Sequence, residues 1–303
     1  MTREPNRAIA VESIDQLQEA LRDQLYVADR GLATSIYLAL KLGKPLFLEG
    51  EAGVGKTEVA KAVASVLNSE LIRLQCYEGL DIYRAAYDWN YTRQMLHIRL
   101  VEARGEKPQE LELFGPDFLL ERPLLAALRA RGEEPPLLLI DEIDRSDAEF
   151  EAYLLEVLSD FQLSIPEIGT IRADRPPYVI ITSNRTREVH DALKRRCLYH
   201  WIEYPSFEKE LEIVKARVPA AADGLARQVT QFVQALRGED LYKTPGVAET
   251  LDWLQALVLL DRDHLEVSLV NDTLGALLKT EEDVAAYRGA GAADLVERVT
   301  AGA

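Results

Sequence analysis

Residues Gly50 to Thr57 read Gly-Glu-Ala-Gly-Val-Gly-Lys-Thr, directly after the apolar run Leu46-Phe47-Leu48. From Thr57 to Leu67 apolar residues recur at helical spacing. The chain must therefore pass through a strand, a tight glycine-rich turn and a helix in quick succession. Glycines let the backbone curl until consecutive N–H groups face one point, and the following helix presents its positive end there. Such a concavity fits the phosphates of a nucleoside triphosphate. Lys56 is expected to reach the β- and γ-phosphates and the Thr57 hydroxyl to ligate Mg²⁺. The expected nucleotide-binding set is Gly50, Glu51, Ala52, Gly53, Val54, Gly55, Lys56, Thr57 and Glu58.

A phosphate loop binds nucleotide but does not by itself hydrolyse it. The run Leu137-Leu138-Leu139-Ile140 reads as a buried strand, and the acids Asp141 and Glu142 stand at its carboxyl end, where open α/β sheets bind ligands. Asp141 is placed to hold hydrated Mg²⁺, and Glu142 to orient or deprotonate an attacking water. A third buried run, Tyr178 to Thr182, leads to Asn184, whose amide can donate to a phosphate oxygen and accept from a water. A basic cluster, Lys194-Arg195-Arg196, precedes a last strand. An arginine offered to a neighbouring molecule's γ-phosphate stabilises transition-state charge. A solvated basic patch is the plainer alternative.

Up to about residue 205 short apolar runs alternate with helical patterns, the signature of a parallel sheet covered by helices. Strands are expected at Pro45–Glu49, Leu71–Gln75, Leu137–Ile140, Tyr178–Thr182 and Leu198–Glu203. Their Leu, Ile and Val content suits burial on both faces. Asp147 to Phe161 reads as an amphipathic helix capped by Asp147. After Pro205 only helical patterns follow, at Ser206–Arg217, Gly224–Leu236, Val247–Leu260 and Leu265–Leu278. The expected division is 1–205 as an α/β nucleotide-binding core and 206–303 as a smaller all-α lid. From Arg288 onward the Gly- and Ala-rich tail is expected to fray, at least in part.

With 51 acids against 35 bases the net charge is −16. Nucleic-acid binders rely on neutralising phosphates, so this balance argues against nucleic acid as the main partner. Cys76 and Cys197 form no CxxC pair, and His97, His190, His200 and His264 lack metal-ligand spacing. All six read as structural. Met1-Thr2-Arg3-Glu4-Pro5 lacks the apolar stretch of a signal peptide, and runs such as Leu254–Leu260 are too short to span a bilayer. A reducing cytoplasm is the expected setting.

The four elements in this order, followed by a helical lid, resemble the AAA+ P-loop ATPases. The stretch between Gln75 and Leu137, and the segment Phe161 to Ile171, look like the helix-2 and pre-sensor insertions of the MoxR branch. Arg73 to Asp81, Glu151 to Leu158 and Arg195 to His200 resemble the CoxD type, associated with maturing the molybdenum–copper centre of carbon monoxide dehydrogenase. The likeness covers roughly residues 25 to 280. It implies a core with a parallel five-stranded sheet and a helical lid, with Lys56 and Thr57 in the Walker A motif. It makes Asp141 and Glu142 Walker B, Asn184 sensor 1 and Arg196 the arginine finger, with Arg195 as fallback. It further implies ATP and Mg²⁺ as cofactors, a ring, in this family a hexamer, a helper protein with a von Willebrand factor A (VWA) domain, and an apo-metalloenzyme client. MoxR lids usually carry Ser-Pro-Arg, whose arginine is sensor 2; here the matching stretch is Thr244-Pro245-Gly246, with Lys243 nearby. No residue is assigned to sensor 2. The aromatics Tyr83, Tyr87, Trp89 and Tyr91 fall in the helix-2 insertion and are expected either to grip a client or to pack against the sheet. The same core would also serve a nucleic-acid-remodelling motor or a nucleotide-gated scaffold.

Overall fold

Five apolar runs become the strands of one sheet in the computed structural model, which describes residues 11–105, 107 and 113–301. The strands are β1 (Leu46–Gly50), β2 (Leu71–Gln75), β3 (Tyr87–Trp89), β4 (Leu119–Glu121), β5 (Leu137–Asp141), β6 (Gln162–Ile165), β7 (Gly169–Arg172), β8 (Tyr178–Ser183) and β9 (Leu198–Ile202). The main sheet has the order β2-β5-β8-β1-β9. The pairs β2/β5, β5/β8 and β8/β1 are parallel, in a register that sets Leu74 beside Ile140, and Ile181 beside both Ile140 and Phe47. Every residue of β1 and β5 is buried, as strands covered on both faces require. An all-helical region follows this sheet in the chain.

The chain packs as two units. One comprises Arg30–Glu49, Val59–Trp201 and the described residues before Gln18. Its core takes in Phe47, Leu138, Ile140 and Ile181 from the sheet and Leu154 and Leu158 from the helix Ala148–Asp160. Asp147 caps that helix, its carboxylate accepting the Phe150 N–H at 2.8 Å. Phe161 ends it in the left-handed conformation, and the chain then turns into the antiparallel hairpin β6–β7. The long stretch after β2 carries a second small antiparallel pair, β3–β4. Tyr87 and Trp89 on β3 are buried in the core, whereas Tyr83 and Tyr91 are more than half exposed. The packing alternative thus holds for two of the four rings.

The other unit comprises Gln18–Asp29, Gly50–Glu58 and the described residues from Ile202 onward. Its core is helical, built by Phe207–Arg217, Asp223–Arg237, Val247–Leu259 and Val267–Leu277 around Phe232 and Trp253. The expectation of a tail frayed from Arg288 does not hold for the described residues that follow it. Ala290–Ala301 is a helix, and Ala292, Leu295, Val296 and Val299 are buried in this core. Those four recur at helical spacing, an apolar stripe that the surrounding Gly and Ala content conceals. Met1 to Pro5 lie outside the described residues. Among the described residues no helix is long and apolar enough to cross a membrane.

Candidate nucleotide site

The phosphate loop begins where β1 ends. Gly53 and Gly55 take φ of +78° and +92°, values that side chains disfavour, which is why glycine stands at both. The helix Lys56–Val66 then starts, with Glu58 as the acid in its first turn. Lys56 is buried, and its Nζ donates to the carbonyls of Gly50 at 2.9 Å and Glu51 at 2.6 Å. Glu51, Ala52 and Gly53 are exposed, Val54 is buried, and Gly55 and Thr57 are half-buried. Glu58 also accepts from Arg217 at 3.3 Å.

The acid pair sits in the sheet unit at the carboxyl end of β5. Asp141 is 2% exposed, its Oδ1 accepting the Thr182 hydroxyl at 2.6 Å and its Oδ2 the Arg73 guanidinium at 2.5 and 3.0 Å. Glu142 adopts a left-handed backbone, φ 56° and ψ 53°. Its N–H donates to Thr182 Oγ1 at 2.9 Å. Its carboxylate accepts from Gln75 Nε2 at 3.0 Å, Arg145 at 3.2 Å and the Asn184 amide at 3.4 Å. The structure thus brings Asp141, Glu142 and Asn184 together. Oxygen donors of this kind are the hard ligands Mg²⁺ prefers, and Mg²⁺ takes only one or two from a protein when substrate phosphates supply others.

Several residues of this cluster escape a reading of single motifs. Asp144 is buried and accepts the Asn184 and Thr186 N–H groups at 3.1 and 2.9 Å and the Thr186 hydroxyl at 2.6 Å. Burial alone would raise its pKa, but these hydrogen bonds outweigh burial and hold the carboxyl below its ordinary value. Glu151, 1% exposed, pairs with Arg187 and accepts the His190 N–H at 2.7 Å. Asp144 and Glu151 together fix the chain on either side of Arg187. Gln75 and Arg73 alternate along β2 and so share a face, and Gln75 stands in register with Asp141. Polar residues at the third and fifth positions of an otherwise apolar strand were the available signal.

Residues 45–197, about half the chain, match the AAA domain of the dynein-related subfamily. The chain belongs to that family. Among relatives of this AAA chain, an uncharacterized protein of Staphylococcus haemolyticus is 22% identical over 245 residues, covering 78% of this chain and 84% of its own length. An uncharacterized protein of Staphylococcus aureus (strain USA300) is 24% identical over 224 residues, covering 72% and 76%. Among solved structures, the Thermotoga maritima RuvB Holliday junction branch migration motor is 18% identical, covers 88% of this chain and 72% of its own, and has a TM-score of 0.46. A mutant of that motor reaches 0.49 at 17% identity, covering 90% and 75%.

The basic cluster of the AAA chain divides three ways. Lys194 turns inward, pairing at 3.1 Å with Glu49, a buried acid that also accepts the Tyr199 hydroxyl at 2.8 Å. Arg195 lies 3.8 Å from Asp191 on the surface. Arg196 is exposed and donates to the Ala192 carbonyl at 3.4 Å. Of the residues read as structural, Cys76 is buried and Cys197 donates to the Leu193 carbonyl at 3.2 Å. Burial pushes both thiols up to about 12, the acids around Asp141 adding to the effect at Cys76.

Proposed function

We propose that this AAA chain is a Mg²⁺-dependent ATPase that works as a ring-forming chaperone, remodelling a client protein. Lys56 holds the β- and γ-phosphates, Thr57 and Asp141 hold Mg²⁺, and Glu142 orients the attacking water with Asn184 beside it. Residues 1–205 serve as the nucleotide-binding core and 206–303 as the lid. The observation that carries this reading is the arrangement at Glu142. Its carboxylate is held from three sides by Gln75, Arg145 and Asn184 next to an acid, Asp141, that is itself fixed by Thr182 and Arg73. A carboxylate so oriented suits a group that must aim a water rather than one that merely solvates a loop.

The finer assignment rests on the likeness of Arg73 to Asp81, Glu151 to Leu158 and Arg195 to His200 to the CoxD type of the MoxR branch. On that basis the chain forms a hexamer in the cytoplasm, works with a VWA-domain protein and matures an apo-metalloenzyme of the molybdenum hydroxylase class. Glu142→Gln tests the core of the proposal. ATP turnover is expected to fall at least roughly 10²-fold, the usual contribution of a positioned base, with ATP still bound. Near-normal turnover in that variant, measured by phosphate release, overturns the role given to Glu142.

A further inference from the structure

Gly246 opens the helix Val247–Leu259, and its backbone lies so close to the phosphate loop that no side chain fits between them. A Cβ on Gly246 would stand 2.6 Å from the Gly53 Cα and 2.8 Å from the Gly53 carbonyl oxygen. A Cβ on Gly53 would stand 2.9 Å from the Gly246 Cα. The approach is bonded: the Val247 N–H donates to the Gly53 carbonyl at 3.0 Å. That carbonyl and the Val54 N–H belong to one planar peptide and point in opposite directions. Tying down the carbonyl therefore sets the direction of an N–H in the middle of the loop.

A buried polar cluster holds Gly246 in place. Arg237, whose side chain is 7% exposed, donates through its two terminal nitrogens to Glu210 at 2.6 and 2.7 Å and through Nε to the Pro245 carbonyl at 2.8 Å. Glu210 also accepts the hydroxyl of Thr250, on the first turn of the same helix, at 2.8 Å. At the other end of the turn, Asp283 accepts the N–H groups of Tyr242 and Lys243 at 2.9 and 3.1 Å. A buried ion pair is in itself weak support for stability, since apolar residues of similar volume often serve as well. The directed bond from Nε to the Pro245 carbonyl is what apolar residues cannot supply.

We propose that Arg237, oriented by Glu210, is a positioning residue for the phosphate loop: it seats the Pro245–Val247 turn on Gly53 and so presets the loop's N–H groups for a triphosphate. The proposal rests on the reading of Gly50–Thr57 as a triphosphate loop. Arg237 acts through the backbone, and preorganisation of this kind raises affinity without any new contact to the ligand.

The test uses the full chain, Mg²⁺ and a fluorescent ATP analogue, with Kd, turnover at saturation and Tm measured side by side. The paired substitution Glu210→Leu with Arg237→Met is expected to keep Tm at or above wild type. Its Kd is expected to rise roughly tenfold, the worth of one charged hydrogen bond, with saturated turnover little changed. Gly246→Ala should raise Kd likewise, with Tm lowered by the overlap with the Gly53 backbone. Its φ of −84° and ψ of −177° suit any residue, so the substitution acts through the space it fills, where the nearest atoms are the Gly53 backbone. Arg237→Lys keeps the charge but not the fork and is expected not to restore affinity. Wild-type Kd in the folded paired variant, or in Gly246→Ala, overturns the proposal, and if the pair fails to fold, wild-type Kd in Arg237→Lys overturns it instead. A loss of affinity that merely follows Tm, with Arg237→Lys restoring both, marks a structural role and overturns it too. If the wild type binds no analogue, or Lys56→Ala binds it equally well, the triphosphate reading itself fails and the proposal with it.

Discussion

Thr182 serves both members of the acid pair. It is 1% exposed, donates its hydroxyl to Asp141 and accepts the Glu142 N–H, which stands in a left-handed backbone that costs a non-glycine residue about 1–2 kcal/mol. Thr182→Val keeps the shape and removes both bonds, the one to the buried Asp141 carboxylate and the one from the Glu142 N–H. Stability is expected to fall by about 1–3 kcal/mol in denaturant unfolding, with ATP turnover falling too. Unchanged stability would mean that neighbouring groups replace both bonds. Asp141, Glu142 and Asn184 were legible because each closes an apolar run, a purely local pattern. Thr182 was hidden inside a strand and Gln75 on another one. What makes them part of the site is the pairing of β5 with β8 and β2, and a register between distant strands leaves no mark in either strand alone.

The five main strands were legible for the reason that made them strands. For β1, β5 and β8 these are short apolar runs buried on both faces, which allow little else between glycine turns and helical patterns. β2 and β9, at the two ends of the sheet, are only partly buried, against the expectation of burial on both faces. The small pairs β3–β4 and β6–β7 were not, because three- and four-residue strands carry too short an alternation to stand out. The terminal helix Ala290–Ala301 was misread on composition, since Gly and Ala suggest fraying while the stripe through Leu295 and Val299 suggests docking. Burial decides between the two. Leu295 is 2% exposed in the helical core, so Leu295→Ala is expected to destabilise that unit by about 2–5 kcal/mol. A frayed tail would show no change in Tm.

At the scale of the whole molecule, the chain's own contacts leave Arg196 exposed while they turn its neighbour Lys194 inward to Glu49. The resemblance to the MoxR branch reads Arg196 as an arginine finger, which would act on another copy of the chain. Head-to-tail contacts between identical subunits close into a ring when the rotation permits. If Arg196 is that finger, Lys56→Ala subunits lack a working loop but still offer Arg196, and Arg196→Ala subunits have the loop but no finger. Each is expected to be nearly inactive alone, the finger contributing roughly 10³–10⁵ to turnover. Mixed at equal amounts and reassembled at random, about a quarter of the subunit contacts would join an intact loop to an intact arginine. Measurable ATP turnover should therefore return in the mixture, rising and falling with the mixing ratio and greatest near equality. If sizing shows mixed rings and turnover stays at the level of the single variants, Arg196 does not act in trans. Repeating the mixture with Arg195→Ala in place of Arg196→Ala then tests the neighbouring arginine by the same criterion.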